Sequence, residues 1–432
     1  MPIRFWLVLL LLLLNALTLA SPVTALCGAC IVWITLFGSS PFRISRHLLR
    51  WISLPIAIFA IAAAGAFQNT VADALKDAWY LINPVIILIA GYLIAKEKQR
   101  KDDIFAAFVV ASFLLSAVYI GKFIFNASWT LESVENIRRL NGDVYVVSFV
   151  TPLMVMLARI HRYPLGLLDR HKTFVNITVA LSFISLALSL SRTFWLSAII
   201  AIFLAMKISP LKKVLIGVLL VGVLVSFSLT TTQTTGVRGG ITDKIAGSAQ
   251  ELAVRNYDDI SDINANWRGY ETFIALTTFV NGTPANWLFG FGMGKLVDIG
   301  FVMFLNEDGI RYIPIFHNGY VYLLIKSGIS GTMLYLIFLA CMIRSGGKLR
   351  HSASASAAFY GHFLVILSVV LGATTFVVAG FYSKFLTLPI IFLLGMCLSQ
   401  LAPATTTVPV RKPSKIPNWR KTALPRIQDA KA

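Results

Sequence analysis

The chain has 432 residues, of which 57% are hydrophobic and 13% are charged, and its mean hydropathy is +0.76. This composition excludes a soluble enzyme with a single membrane anchor, because apolar windows recur along nearly the whole length. The net charge of +19 does not indicate a nucleic-acid partner, since the basic residues lie on short loops and in a Pro-containing tail, where they set topology and meet anionic lipid headgroups.

Each apolar window is long enough to cross ~30 Å of hydrocarbon at about 1.5 Å per residue. Backbone polar groups in lipid must be paired within their own segment, so the windows predict helices and an all-α polytopic membrane protein. Lys and Arg are concentrated in alternate connections, which predicts that both termini are cytoplasmic. Twelve spans are predicted, at about 5–20, 22–38, 51–67, 78–95, 104–125, 142–160, 173–190, 193–206, 211–229, 319–343, 358–381 and 385–402.

One connection on the predicted outer side is much longer than the others and lies between the ninth and tenth predicted spans. Within it, "DKIAGSAQELAVRNY" and "NWRGYETFIALTTFV" predict a pair of helices, and "NWLFGFGMGKL" predicts a glycine-rich turn. A nucleotide-binding loop would need a strand before it and a helix after it, and neither is indicated. The predicted regions are nine helices in 1–229, a large periplasmic loop region in 230–316, three helices in 317–402 and a basic cytoplasmic tail, expected to be disordered, in 403–432.

Three arginines lie on the predicted outer face, where basic residues are disfavoured. Arg192 in "SLSRTFW" begins a helix, and Arg138 and Arg139 in "NIRRLNGD" precede another. The permanent charge and planar fork of an arginine suit phosphate oxygens, so all three are candidates for holding a lipid diphosphate. Arg192 could instead be an interfacial anchor, and the arginine pair could bind Glu132 and Glu135.

The loop offers a possible sugar site. Arg268 lies between Trp267 and Tyr270 in "NANWRGYE", and aromatic faces beside a cation suit stacking on sugar rings, although the same residues often form an ordinary small core. The acidic run "YDDISD" at 257–262 could bind a divalent metal, but a solvated turn is the favoured interpretation.

His317 stands where this loop ends, in "HNGYVYLLIKSGISG". If a helix runs from His317, Gly328 and Gly331 return to its face at 100° per residue and let a neighbouring helix approach closely. Imidazole can accept a proton at neutral pH, as a general base must. The alternative is a capping or buried structural histidine.

The segment fits the pattern His-(Asn/Ser/Gln)-x9-Gly-x-x-(Gly/Thr/Tyr) at His317, Asn318, Gly328 and Gly331. This pattern resembles the O-antigen ligase and Wzy-type polysaccharide polymerase family of bacterial membrane glycosyltransferases. The twelve predicted spans, the cytoplasmic termini, the large loop before the motif and an arginine at an outer helix end agree with it.

The resemblance implies a fold like that of C-type membrane glycosyltransferases in the bacterial inner membrane. It also implies block transfer of a glycan from undecaprenyl diphosphate to a sugar hydroxyl at the periplasmic face, in O-antigen or exopolysaccharide biosynthesis. The acceptor is a lipid-linked repeat unit for a polymerase or the lipid A core for a ligase. Chain-length regulator and flippase proteins are expected partners, and neither a metal nor another cofactor is required.

By this resemblance His317 is the catalytic base and Arg192 assists at the diphosphate, while Arg138, Arg139 and Arg268 compete for a second place there. The expected substrate-binding residues are Arg138, Arg139, Arg268, Asn318, Trp267 and Tyr270. The alternative function is a polysaccharide flippase or another 12-helix transporter, which the absence of a six-plus-six sequence repeat disfavours.

Overall fold

The structure is a computed structural model. It describes residues 3–16, 45–95, 101–126, 144–189, 191–206, 251–252, 254–257, 259–305, 308–383 and 387–401. All of these belong to one compact unit that spans Met1–Leu401. The predicted basic tail lies outside the described residues.

The described chain is mostly helical. Before the loop region the helices are α1 Ile3–Ala16, α2 Arg46–Ala64, α3 Val71–Ala95, α4 Lys101–Phe125, α5 Val144–His161, α6 Leu167–Arg170, α7 Lys172–Leu188 and α8 Arg192–Ala205. Short 3₁₀ turns cover Ala66–Gln68 and Gly380–Tyr382. The loop region contains α9 Ile260–Ala265, α10 Trp267–Val280 and α11 Pro284–Phe289, and after it come α12 Gly319–Leu349, α13 Ala355–Val378 and α14 Leu388–Gln400.

Five of the described helices are long and apolar enough to cross a bilayer, and five more are apolar but shorter. A polytopic helical membrane protein is therefore confirmed. Ten of the predicted spans coincide with these helices, while those predicted at 22–38 and 211–229 lie outside the described residues. The count of twelve stays a prediction.

The bundle packs through small residues and hydroxyl contacts, as helices in lipid do. A Cβ added to Gly91 of α3 would lie 1.9 Å from the carbonyl oxygen of Phe392, and one added to Gly395 of α14 would lie 2.1 Å from that of Leu88. These two glycines therefore let α3 and α14 meet backbone to backbone. Between α4, α5 and α7 the buried hydroxyls of five serines form hydrogen bonds. Ser112 bonds to Ser182, and Ser148 bonds to both Ser116 and Ser185.

Connections predicted to lie on the same side of the membrane gather at the same end of the bundle. Asn69, between α2 and α3, donates to the carbonyl oxygens of Phe291 and Met293 in the loop region. At the other end Gln400 of α14 donates to the carbonyl oxygen of Ala95, where α3 ends. Which of the two ends faces the periplasm stays a prediction.

A two-stranded antiparallel hairpin, β1 Val297–Leu305 and β2 Asp308–Ile313, was missed by the all-α prediction. β-Branched and aromatic residues dominate both strands, which favours extended backbone. The register shifts between Asp298 and Met303, and Gly300 lies at a φ of 79° in that irregular stretch. Arg311 of β2 pairs across the hairpin with Asp298, with 2.9 Å between Nη2 and Oδ2.

The second helix of the predicted loop pair is confirmed as α10, while most of the first lies outside the described residues. The glycine-rich turn is confirmed as well, since Gly290, Gly292 and Gly294 have φ values of 77°, 84° and 86°. Residues other than glycine rarely adopt such angles. The turn can therefore fold tightly enough to enter the helix bundle.

The prediction that Gly328 and Gly331 share the face of His317 on one continuous helix was wrong. α12 begins only at Gly319, and Gly328 breaks it with φ 67° and ψ −166°. A Cβ on Gly328 would lie 2.5 Å from the backbone of Leu288 and Gly290, so the glycine does admit a close neighbour, namely the end of the short helix α11 and the turn that follows it. The Phe291 N–H donates to the carbonyl oxygen of Ile325 at 2.8 Å, which satisfies a group that the break frees.

A buried ion pair also fixes the glycine-rich turn. Asp77 of α3 and Lys326 of α12 are both fully buried, with 2.5 Å between Oδ2 and Nζ. The Gly294 N–H and the Tyr322 hydroxyl also donate to the Asp77 carboxylate, and Lys326 donates to the carbonyl oxygen of Lys295. Charges within a membrane domain are costly unless paired, and here the pair binds two helices and the loop together.

Candidate active site

His317 immediately precedes the cap of α12 and is fixed by Glu271 of α10. The Glu271 carboxylate accepts hydrogen bonds from Nδ1 of His317 at 2.7 Å and from its backbone N–H at 3.2 Å. The His317 carbonyl oxygen in turn accepts from the backbone N–H of Ala379 at 2.5 Å. One of these contacts holds the imidazole and two hold the backbone of His317, where the loop region meets α12 and α13.

The side chain of Glu271 is only 5% exposed, whereas that of His317 is 47% exposed. When Nδ1 of the neutral ring donates to the carboxylate, the lone pair is on Nε2. Among the described residues none is hydrogen-bonded to Nε2. A histidine held in this tautomer by a buried carboxylate is the arrangement that general-base catalysis uses.

The imidazole lines a cavity of about 300 Å³. Arg268, Thr272 and Leu276 of α10 line it too, because a spacing of four residues puts them on one helical face. The other lining residues come from the segment before α9 and from α12 and α13, and they are Leu252, Val254, Asn318, Tyr320, Val321, Phe376 and Val377. The cavity is thus largely apolar, with His317 and Arg268 as its strongest polar groups.

Asn318 is the N-cap of α12. Its side-chain oxygen accepts from the backbone N–H groups of Tyr320 at 3.1 Å and Val321 at 3.3 Å. Residues of this type are preferred at helix N-caps because they satisfy otherwise unpaired N–H groups. Asn318 therefore fixes where α12 starts, and its substrate-binding role stays a prediction.

Arg192 and Arg268, which are 76 positions apart in the chain, share one carboxylate. Arg192 begins α8, and its Nη2 lies 2.5 Å from Oε2 of Glu251, while Nη1 of Arg268 lies 3.6 Å from Oε1 of the same side chain. Each of the three side chains is between a fifth and a third exposed. The structure thus brings two of the predicted anion-binding arginines together, and Arg268 extends the pair to the cavity of His317. Arg138 and Arg139 lie outside the described residues.

Trp267 and Tyr270 pack into the small core of the loop region. The Tyr270 ring contacts the rings of Tyr257, Trp267 and Phe301, and its hydroxyl donates to the carbonyl oxygen of Ile299 at 2.6 Å. Burial raises the pKa of Tyr270, and the nearby Asp298 carboxylate adds to the rise. Neither residue lines the cavity of His317, and their role in sugar binding stays a prediction.

In the acidic run, Asp259 caps α9 by accepting from the Asp262 N–H at 2.6 Å, and Asp262 pairs with Arg255 at 2.7 Å. Asp258 lies outside the described residues. Among the described residues no group of three metal-ligating side chains comes together.

Residues 177–336 match the family model Wzy_C, described as O-antigen ligase. The match spans somewhat more than a third of the chain and includes Arg192, Arg268, Glu271 and His317. These residues are therefore similar to an O-antigen ligase domain. The family resemblance in the sequence is thereby confirmed. None of the curated proteins matches the chain.

This similarity indicates a ligase- or polymerase-type membrane protein of polysaccharide biosynthesis. Its reaction is a transfer of the glycosyltransferase kind, and lipid-linked glycans are its class of substrate. These statements follow from the family, while the roles of individual side chains rest on the geometry described above.

Two carboxylates of the O-antigen ligase domain, Glu271 and Glu251, were missed by sequence reasoning. A signal for Glu271 was present, because it is the one acidic residue in the predicted helix "NWRGYETFIALTTFV" and lies three positions after Arg268. That spacing places both side chains on one helical face. No comparable signal marks Glu251, which adjoins a part of the loop that the structure does not describe.

Proposed function

We propose that the protein transfers a glycan en bloc from undecaprenyl diphosphate to a sugar hydroxyl at the periplasmic face of the bacterial inner membrane. The observation that carries this proposal is the pairing of His317 with the buried Glu271 carboxylate, beside a cavity that Arg268 also lines. A base is needed for the acceptor, and positive charge is needed for the leaving group. Both requirements are met around one cavity.

In the proposed reaction, the acceptor hydroxyl gives its proton to Nε2 of His317 while its oxygen attacks the anomeric carbon of the donor. The bond between that carbon and the diphosphate oxygen breaks, and undecaprenyl diphosphate leaves with the electron pair. This single displacement inverts the anomeric configuration. Glu271 keeps the imidazole in the required tautomer and stabilises the imidazolium that forms.

Arg192 and Arg268 are proposed to hold the diphosphate. A lipid diphosphate is already a good leaving group, so the developing charge needs stabilisation more than it needs a proton. In the structure, the Glu251 carboxylate bridges the two guanidinium groups. The diphosphate presents more negative charge and more oxygen acceptors than one carboxylate, and we propose that it replaces Glu251 between the arginines.

Two acceptors fit this chemistry. A polymerase would use the non-reducing end of another lipid-linked repeat unit, and a ligase would use a sugar of the lipid A core. The proton transfer to His317 is the same in both reactions, so the acceptor is decided by contacts beyond the base.

The test is glycan transfer by the purified full-length protein in detergent, supplied with lipid-linked glycan and with each acceptor in turn. We expect His317→Ala to reduce the rate at least about 100-fold, since general-base catalysis typically contributes 10²–10⁴-fold. Arg192→Ala should raise KM for the donor. Arg411→Ala in the tail should leave both kcat and KM for the donor unchanged. All three variants must insert and melt like the wild type.

Wild-type rates in folded His317→Ala protein would refute the general-base role, and equal effects of the two arginine variants would refute the diphosphate site. Detergent solution has no compartments, so turnover there also excludes transport as the primary activity. Failure of the wild type with both acceptors, together with lipid movement in sealed vesicles, would favour the flippase alternative.

A further inference from the structure

A second cavity, of about 530 Å³, lies at the opposite end of α7 from Arg192. It is enclosed by the end of α5, the connection through α6 and the start of α7. α7 has 17 residues, which separate its two ends by roughly 25 Å. The cavity is therefore distinct from that of His317 and lies at the end predicted to face the cytoplasm.

Three cations line this cavity: Arg159 and Arg162 at the end of α5 and Lys172 at the start of α7. Arg159 donates to the side-chain oxygen of Asn176 at 2.5 Å, so it is held by a neutral amide. Within the described ranges, neither Arg162 nor Lys172 has a carboxylate partner for its side chain. The lining carboxylate, Asp169, accepts from the Leu165 N–H at 2.9 Å and lowers the local charge without cancelling it.

The position of Lys172 is informative. The positive end of a helix dipole disfavours a cation in the first turn, and Lys172 is the first residue of α7. Arg159 at the end of α5 is favoured by the dipole of its own helix, but Lys172 is not. A lysine at this place, with two further cations around the same cavity, makes the space between them favourable for an anion.

The walls of the cavity decide which kind of anion fits. Besides the cations, the lining includes four buried apolar residues, Val155, Leu165, Leu168 and Val175. Free phosphate would gain nothing from such walls. A glycerophospholipid would place its phosphate among the cations and its glycerol and first acyl carbons against the apolar side chains.

Arg162 also has a backbone that is unusual for its residue type, with a φ of 51°. A residue other than glycine rarely adopts this conformation, and its cost indicates that the side chain is needed where it points. The lining of the cavity includes that side chain.

From these observations we infer that the cavity between α5 and α7 is a binding site for the headgroup of an anionic glycerophospholipid. The site is independent of the proposed glycan transfer, because no residue of the His317 cavity contributes to it. A bound lipid would fix the start of α7 at Lys172, and the other end of this helix leads to Arg192.

The test measures lipid retained by the purified full-length protein in native mass spectrometry, using phosphatidylglycerol and phosphatidylcholine as probes. The wild type should retain phosphatidylglycerol in preference. Losing three cations should weaken retention on the order of 100-fold, since each basic residue near an anionic lipid contributes a factor of roughly five. The variant is therefore Arg159→Ala with Arg162→Ala and Lys172→Ala.

The matched control removes the same charge from the end of α12, as Arg344→Ala with Lys348→Ala and Arg350→Ala, and should retain the lipid as the wild type does. The single variant Arg162→Gly suits the local φ, so it keeps the fold and should still lose retention about fivefold.

Three results would overturn the inference: equal losses in the two triple variants, equal retention of the two lipids, or displacement of phosphatidylglycerol by millimolar inorganic phosphate. The last result would assign the site to a free anion. Glycan transfer is not the readout, so the outcome does not depend on the proposed function.

Discussion

Replacing Glu271 by glutamine removes one charge with almost no change of shape. The amide oxygen can still accept the hydrogen bond from Nδ1 of His317 or from its backbone N–H, so the histidine keeps its place beside the cavity. The neutral amide cannot stabilise the imidazolium that forms when His317 takes the acceptor proton. The expected effect is a lower kcat with an unchanged KM for both substrates.

The size of the effect follows from the geometry. Two unit charges about 4 Å apart interact by ~4 kcal/mol at an effective dielectric constant of ~20. Nδ1 and the carboxylate oxygen are 2.7 Å apart, but the His317 side chain is 47% exposed and water screens part of the interaction. We therefore expect a loss of about 2–3 kcal/mol, which is a 30- to 150-fold decrease in kcat.

The assay is the single-turnover rate of glycan transfer in detergent, with ¹⁵N shifts of His317 as a second readout. In the variant the imidazole should become a mixture of tautomers, which a purely structural role of Glu271 would not produce at unchanged stability. Asp298→Asn is the matched control, because it neutralises an exposed acid in the same loop region, and its rate should equal that of the wild type. A folded Glu271→Gln variant with kcat within threefold of wild type would refute the role of the carboxylate.

Three further predictions concern the other ionic contacts. Glu251→Gln should lower KM for the donor about three- to tenfold, or by ~0.6–1.4 kcal/mol, because the diphosphate no longer competes with a charged group for the arginines. An unchanged or higher KM in steady-state kinetics would argue against displacement of Glu251 by the diphosphate. Lys326→Met should lower stability by about 3–5 kcal/mol, because it leaves the Asp77 charge buried without its partner, and adding Asp77→Asn should raise the melting temperature again. The hydrogen bond from Arg311 lowers the pKa of Asp298 below its ordinary 3.8, so the stability from this pair is present at neutral pH and is lost as the pH falls from 3.8 through the folded-state value. The melting-temperature difference between wild type and Asp298→Asn should accordingly shrink in acid, and a constant difference would contradict the pair's contribution.

The helices were predictable because backbone polar groups in lipid must form their hydrogen bonds within the protein. Windows such as 104–125 and 358–381 can satisfy their polar groups only as helices, and the structure has α4 and α13 there. Arg192 and Arg268 could also be predicted as site residues from the sequence. Arg192 is a charged residue at the start of an apolar helix, and Arg268 lies between two aromatic residues. Their meeting at Glu251 was not accessible, since it depends on how the loop region docks.

The pairing of His317 with Glu271 joins positions 46 residues apart, and no periodicity within either helix encodes it. The error at Gly328 has a similar cause. Helical periodicity assumes an unbroken backbone, whereas α12 is interrupted by a turn that comes from residues 288–291. The hairpin was missed because its strands are short and the chain around them is polar, so neither matches a membrane window.

The break in α12 has a mechanical consequence. An unbroken helix of 31 residues would be a lever roughly 46 Å long, and a small tilt at its far end would be magnified at His317. Because of the break, the piece from Gly319 to Ser327 is hydrogen-bonded to the loop through Ile325 and Lys326. The longer piece packs in the helix bundle. Because Lys326 also pairs with Asp77 of α3, the short piece that follows His317 is fixed to both the loop and α3, and we expect the imidazole to keep its position when the longer piece tilts.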